Sequence, residues 1–225
     1  MLIQKILFWL LPLKFHGRLN RLILGYRLLS KQKSYLVIKG FTESVLEKGI
    51  PENHNNIHPW MCYPLVEFLT GCINRELHVF EYGSGFSTIY FANKVKTITS
   101  VEHNIAWLDK LKNTLLEYKN AKLYFVEENE QYPNTIFLAG TNKSYDVIVV
   151  DGKMRVECVR KSFQFLSPKG VIILDDSERR KYEPAFRFLF EKGYKHITFS
   201  GMKPGMIGKS QGSVFYKSGN NCFKI

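Results

Sequence analysis

From residue 77 onward the chain alternates short apolar, β-branched runs with longer mixed segments. The runs are LHVFEY (77–82), TITSVEH (97–103), AKLYFVE (121–127), YDVIVVD (145–151), GVIILDD (170–176), HITFS (196–200) and GSVFYK (212–217). Their length and near-continuous apolar character predict strands buried on both faces, as in a parallel sheet. The segments 86–95, 104–119, 131–140, 153–166 and 178–192 predict the covering helices, and a further helix follows HPWMCYP (58–64) to about residue 74. This is an α/β pattern, a doubly wound sheet of seven strands. The last two runs are joined by GMKPGMIGKSQG (201–212), a loop with no room for a crossover helix. The final strand is therefore expected to be antiparallel.

The first 40 residues follow a different rule. After Pro12, Phe15, Leu19, Leu22, Tyr26 and Leu29 recur at helical spacing, flanked by Lys14, Arg18 and Arg21. The net charge of +12 is concentrated here. Residues 1–39 hold eight lysines and arginines and no acid before Glu43, leaving 24 basic against 20 acidic residues in 40–225. Residues 1–40 read as a basic amphipathic arm, and 41–225 as a nearly balanced domain that does not suggest a nucleic-acid partner. The arm either packs on the domain or lies on an anionic membrane surface through residues 1–33, with the apolar run ILFWLLPL (6–13) as a hook. That run is too short for a membrane span and lacks a cleavage site. Four scattered cysteines, Cys62, Cys72, Cys158 and Cys222, form no CxxC pair, as expected in a reducing, cytoplasmic setting.

Candidate chemistry begins at VFEYGSGFST (79–88), a strand end, a glycine turn and a helix start. Glycines at 83 and 85 let a ligand approach the backbone closely. The dinucleotide pattern GxGxxG needs a third glycine where Thr88 stands, which disfavours pyrophosphate. Twenty-one residues after Glu81, the second strand ends at Glu102, an acid placed to accept both hydroxyls of a ribose.

In order along the chain, EYGSGFST, TSVEHN, YDVIVVDG and LSPKGVIILDD resemble the motifs of class I S-adenosylmethionine-dependent methyltransferases, over about residues 58–220. The resemblance implies a Rossmann-like sheet of seven strands with the last antiparallel, and S-adenosylmethionine as cofactor. It makes the strand-and-loop residues Glu81, Tyr82, Gly83, Ser84, Gly85 and Ser87 candidate contacts to the cofactor's methionine end, and Glu102 a contact to its ribose. His103 and Glu128 are candidates beside the adenine; a surface-loop position is the plainer reading for His103. The narrower likeness, from HPW to NNCFKI, is to bacterial members linked to surface glycans or small metabolites, so the expected acceptor is a small molecule or glycan.

Asp151 closes the fourth strand, and Asp175 and Asp176 close the fifth. Carboxylates converging at neighbouring strand tips raise one another's pKa unless a cation neutralises them, and such oxygen clusters suit Mg²⁺. A metal would also lower the pKa of an acceptor hydroxyl. Asp151, Asp175 and Asp176 are thus candidate metal ligands, with Asp151 also catalytic. The arrangement is similar to that of the catechol-type metal-dependent O-methyltransferases, with Asp176 where those carry Asn. Helix capping is the other reading of Asp175 and Asp176. His54, His58 and Trp60 are lid candidates, as is the 201–212 loop. Arg155, Arg179 and Arg180 either hold an acidic acceptor or are solvated. A nicotinamide-dependent oxidoreductase and a non-catalytic binding protein are the alternatives to a methyltransferase.

Overall fold

The computed structural model describes residues 12–46, 58–139 and 144–225. The apolar run before Pro12, the PENHNN turn with His54, and residue 140 at the end of the 131–140 segment lie outside the described residues. The chain divides into two units, Met1–Glu52 and Asn53–Ile225, so residues 41–52 group with the basic arm. In the first unit, helices span Leu13–Ser30, Tyr35–Ile38 and Phe41–Leu46. The long helix is the one expected after Pro12. Its apolar positions are largely uncovered, with Leu22 72% and Tyr26 70% exposed.

In the second unit all seven runs form strands: β1 His78–Tyr82, β2 Thr97–Glu102, β3 Ala121–Phe125, β4 Tyr145–Val150, β5 Leu166–Asp175, β6 Lys195–Lys203 and β7 Met206–Tyr216. They form one sheet in the order β3-β2-β1-β4-β5-β7-β6. The pairs from β3 through β5 are parallel, and β7 runs antiparallel to both β5 and β6. Successive residues on the central strands point to opposite faces, and both faces are covered. Phe80, Ile148, Val150, Ile172 and Leu174 join one core with Tyr132, Cys158 and Leu189. Val79, Val147, Val149, Val171 and Ile173 join the other with Leu65, Leu69 and Phe91. Burial contributes roughly 1.5–3 kcal/mol for each such side chain, which is why these runs carry almost no polar residue.

Two expectations are corrected. The segment 201–212 is not a loop: β6 runs to Lys203 and β7 starts at Met206, with Pro204 and Gly205 turning a long hairpin. Gly205 has φ +71, the conformation such a turn requires. It therefore forms no flexible lid. The segment at 131–140 forms a 3₁₀ helix, Tyr132–Ala139, because Asn129 and Pro133 favour tight turns over α-helix propagation.

Strand order reverses between β1 and β4, the place where doubly wound sheets bind ligands. Both strands end there in glycine turns. Gly83 follows β1 with φ +92, and a methyl group on it would lie 2.7 Å from the backbone nitrogen of Gly152, just beyond β4. Val101 and Tyr82 carbonyls fix the two turns by accepting the N–H groups of Gly83 and Asp151, both at 2.9 Å. Gly83→Ala combines a positive φ with a backbone clash. It is expected to destabilise the protein by about 3 kcal/mol, read from urea unfolding midpoints. A loss below about 1 kcal/mol would mean that the turns are not held in contact.

Candidate active site

A cleft of about 460 Å³ opens at this reversal point. One wall is the turn Gly83–Gly85 with Phe86 and Ser87, and the opposite wall is Asp151–Arg155 with Tyr182. At one end stands Glu102, only 3% exposed. Its Oε2 accepts the N–H of Ser84 (3.0 Å) and its Oε1 that of Asn104 (2.8 Å). His103 Nδ1 also lies 3.0 Å from Oε1; a carboxylate offers about four acceptor sites, so these contacts fix its position and leave acceptor capacity, chiefly on Oε2, for a ligand hydroxyl. Asn104 also caps the next helix, accepting the N–H of Trp107. That first turn sets the indole across the glycine turn, where Trp107 Nε1 donates to the Ser84 carbonyl at 2.8 Å. Phe86 packs edge-on against Trp107, and Trp60 lies 6.0 Å from Phe86, so the cleft has an aromatic side.

Beneath the turn, Glu81 is fully buried. Its Oε2 accepts the hydroxyls of Thr88 (2.5 Å) and Ser100 (2.7 Å). Thr88 in turn accepts the N–H of Gly85 at 2.9 Å, and Ser100 is linked to Ser84. Burial pushes the Glu81 carboxyl up to about 7, against the pull of the Ser87, Thr88 and Ser100 hydroxyls.

The other wall is a charge network. Arg155, 7% exposed, donates from Nη2 to Asp151 Oδ1 (2.9 Å), from Nε to the Gly152 carbonyl (2.9 Å) and from Nη1 to the Asp175 carbonyl. It thereby ties the end of β4 to the end of β5. Lys203, reaching in from the end of β6 and 8% exposed, donates to Asp176 Oδ1 at 2.6 Å and lies 3.6 Å from Asp175. Arg179 binds the other Asp176 oxygen at 2.6 Å. Burial alone would raise Asp176, but Lys203, Arg155 and Arg179 bring it below the ordinary carboxylate range. Asp175, 1% exposed with no hydrogen bond to either carboxylate oxygen, is pushed well upward by burial and by Asp151. Asp151 lines the cleft. Burial raises it to about 6, with Arg155 and Lys203 opposing.

No protein-family model and no curated protein matches the sequence. Solved structures do match. An rRNA methylase from Streptococcus thermophilus is 12% identical, with a TM-score of 0.53 over 68% of this chain and 96% of that one. A methyltransferase-like protein from Silicibacter pomeroyi is 22% identical, with a TM-score of 0.50 over 72% of this chain and 89% of that one. The chain has the class I methyltransferase fold.

On this methyltransferase fold the expected site residues separate into two groups. Gly83, Ser84, Gly85, Ser87, Glu102, His103 and Asp151 line the cleft together. Glu81 does not: it braces the turn from below. Tyr82 is also withdrawn, its ring in the core and its hydroxyl donating to the Pro133 carbonyl at 2.7 Å. Glu128 lies outside the cleft, paired with Lys153 at 3.1 Å. Trp107 and Lys203 were not anticipated. The Asn-x-x-Trp start after Glu102 carried a signal for the first. The second was hidden by reading the hairpin as loop.

Oxygens of Asp151, Asp175 and Asp176 lie within 4.8 Å of one another, a spacing a metal ion tolerates. Their chemistry does not fit one. Asp151 and Asp176 are already faced by Arg155, Lys203 and Arg179, and Lys203 also lies 3.6 Å from Asp175, whose carboxyl burial and Asp151 push upward. A divalent ion would add charge where none is uncompensated, so the expectation of Mg²⁺ is withdrawn. Removing Lys203 takes from these buried carboxylates one of their three cations and leaves Asp175 and Asp176 Oδ1 without theirs. Lys203→Met is expected to lower stability by roughly 3–5 kcal/mol in thermal unfolding. Millimolar Mg²⁺ is expected to shift neither protein. A rise in the wild-type midpoint that Asp176→Asn abolishes would restore the metal.

Proposed function

We propose that the protein transfers a methyl group from S-adenosylmethionine to an oxygen of a small-molecule or glycan-like acceptor. The observation that carries this reading is Glu102, fixed by two backbone N–H groups at the end of a cleft floored by the Gly83–Gly85 turn. The cofactor fits the donors present. Glu102 would take the ribose hydroxyls, Trp107 and Phe86 supply a flat apolar side for the base, and the cleft is of the size that holds such ligands. When bound, the cofactor supplies a methyl carbon activated by a positively charged sulfur. A nicotinamide nucleotide fits less well, because Thr88, in place of the third glycine, is committed to Glu81 and Gly85.

Asp151 is the group of this chain that would receive the acceptor's proton. A general base is most effective when its pKa lies near the working pH, and burial has brought this carboxylate to about 6. Arg155 fixes its orientation through Oδ1, leaving Oδ2 for the acceptor hydroxyl. The near balance of charge in residues 40–225 supports a small acceptor over RNA, although one neighbour in fold is named an rRNA methylase. Calorimetric titration with S-adenosylhomocysteine is the direct test. Binding is expected for the wild type, unchanged within about twofold in Asp151→Asn and weakened at least tenfold in Glu102→Lys. NAD binding in place of S-adenosylhomocysteine would reverse the assignment. Turnover, once an acceptor is supplied, is expected to rise with pH to a plateau above about 6 and to fall roughly 10²–10⁴-fold in Asp151→Asn.

For the first unit we propose peripheral attachment to an anionic membrane, on the inner face in a cytoplasmic setting. None of the described helices is long and apolar enough to cross a membrane. On Leu13–Ser30, exposed Leu22, Tyr26 and Leu29 share a face flanked by Arg18 and Arg21, the arrangement of an interfacial helix. The full chain is expected to sediment with phosphatidylglycerol vesicles at low salt and not with phosphatidylcholine alone. The double change Leu22→Gln, Tyr26→Gln is expected to abolish this. Sedimentation that survives both the change and high salt would refute the interfacial helix.

A further inference from the structure

A second cleft, of about 510 Å³, adjoins the first. The two share Gly152, Lys153, Arg155, Lys181 and Tyr182, the backbone just beyond Asp151 and the residues facing it. Asp151 lines the first cleft next to these shared residues. The lining is predominantly cationic: Lys153, Arg155, Arg160 and Lys181, against Glu128 and Glu157. Arg155 is spent on Asp151 and its neighbours, but Arg160 and Lys181 pair with no carboxylate among the described residues. Lys181 is instead held with its Nζ 5.0 Å from the centre of the Tyr182 ring, which Arg155 also approaches, at 5.2 Å. The Lys153–Glu128 pair is about half exposed on both sides, and exposed pairs of this kind yield readily to a better ligand. Between the clefts, Met154 adopts φ +47, a left-handed conformation that a long side chain rarely takes and that collects at ligand clamps.

We propose that this second cleft binds an anionic group of the acceptor, a phosphate or a carboxylate, through Lys153, Arg160 and Lys181, and so directs the acceptor's hydroxyl to Asp151. The assignment rests on the methyl-transfer reading for the role of Asp151, but the anion site itself does not. It answers a physical difficulty as well. An ionised Asp151 repels an anionic acceptor, and cations beside it offset that repulsion. Charge-assisted hydrogen bonds from Arg and Lys to phosphate are roughly twice as strong as neutral ones, enough to hold a small molecule in an open cleft.

The test uses the full chain, with and without saturating S-adenosylhomocysteine, titrated with inorganic phosphate, acetate, a sugar monophosphate and the corresponding neutral sugar. Binding is followed by calorimetry and by amide NMR shifts. Phosphate or acetate, whichever chemistry the site takes, is expected to bind and to shift the amides of 152–156, with the neutral sugar without effect. The double variant Lys153→Gln, Lys181→Gln is expected to weaken anion binding at least tenfold, and Arg160→Gln, whose side chain lines the second cleft and not the first, to weaken it while S-adenosylhomocysteine affinity stays within twofold. Lys181→Arg is expected to retain anion binding. Absence of anion binding in a chain that binds S-adenosylhomocysteine, or equal binding in wild type and double variant, would overturn the anion site alone. Anion binding lost in the double variant, in a chain that takes no S-adenosylhomocysteine, would uphold the anion site and remove the methyl-transfer reading.

Discussion

Carboxylates gathered at the ends of adjacent strands can stay buried in their ionised form only if cations are buried with them. Here the cations come from the chain itself. Arg155, on the first turn after β4, binds the side chain of Asp151 and the carbonyl of Asp175, so one guanidinium fastens two strand ends. Lys203 comes from much farther along the sequence and arrives because the β6–β7 hairpin places its end beside Asp176. The antiparallel hairpin is therefore part of the site: without it, the tip of β5 would hold negative charge with only half its counter-charge.

The protonation behaviour follows from this packing and has two opposite signs. Glu81, Asp151 and Asp175 hold protons more tightly in the fold than in the unfolded chain, because burial penalises their charge. The native state thus carries extra protons, and Glu81 and Asp151 reduce stability as pH rises from the ordinary carboxylate range through about 6 to 7, with Asp175 acting in the same direction. Asp176 works the other way. Its value is lowered by Lys203, Arg155 and Arg179, so its contribution is present above the ordinary carboxylate range and lost as pH falls below it.

Much of this was legible in the sequence, and the parts that were not have physical causes. β4 and β5 announced themselves because strands buried on both faces tolerate almost no polar residue, as VIVV and VIIL show. Glu102 and the Gly83–Gly85 turn were legible because spacing after a strand fixes where a side chain emerges. The antiparallel pairing at the end of the chain was legible too, but not the length of its hairpin: GMKPGMIGKSQG has the composition of a loop, and the strand ends it forms are largely exposed. With residues 201–212 read as a loop, Lys203 had no position, and a metal stood beside helix capping as a reading of the three aspartates. Glu81 and Tyr82 show a second limit. Residues next to a binding turn share its sequence motif, but the alternation of a strand sends their side chains into the core.

The three aspartates, equivalent on paper, are made unequal by their surroundings, and only one of them suits proton transfer. Asp175 is pushed well upward by burial but is only 1% exposed and does not line the cleft. Asp176 is clamped between two cations and held ionised, which makes it a weak base. Asp151 is about a quarter exposed, lines the cleft, and is bound through one oxygen only. Its partner Arg155 is permanently charged, so the pair would stabilise the ionised form too strongly if burial did not oppose it. The balance of these two effects holds the Asp151 carboxyl at about 6, between the raised Asp175 and the lowered Asp176.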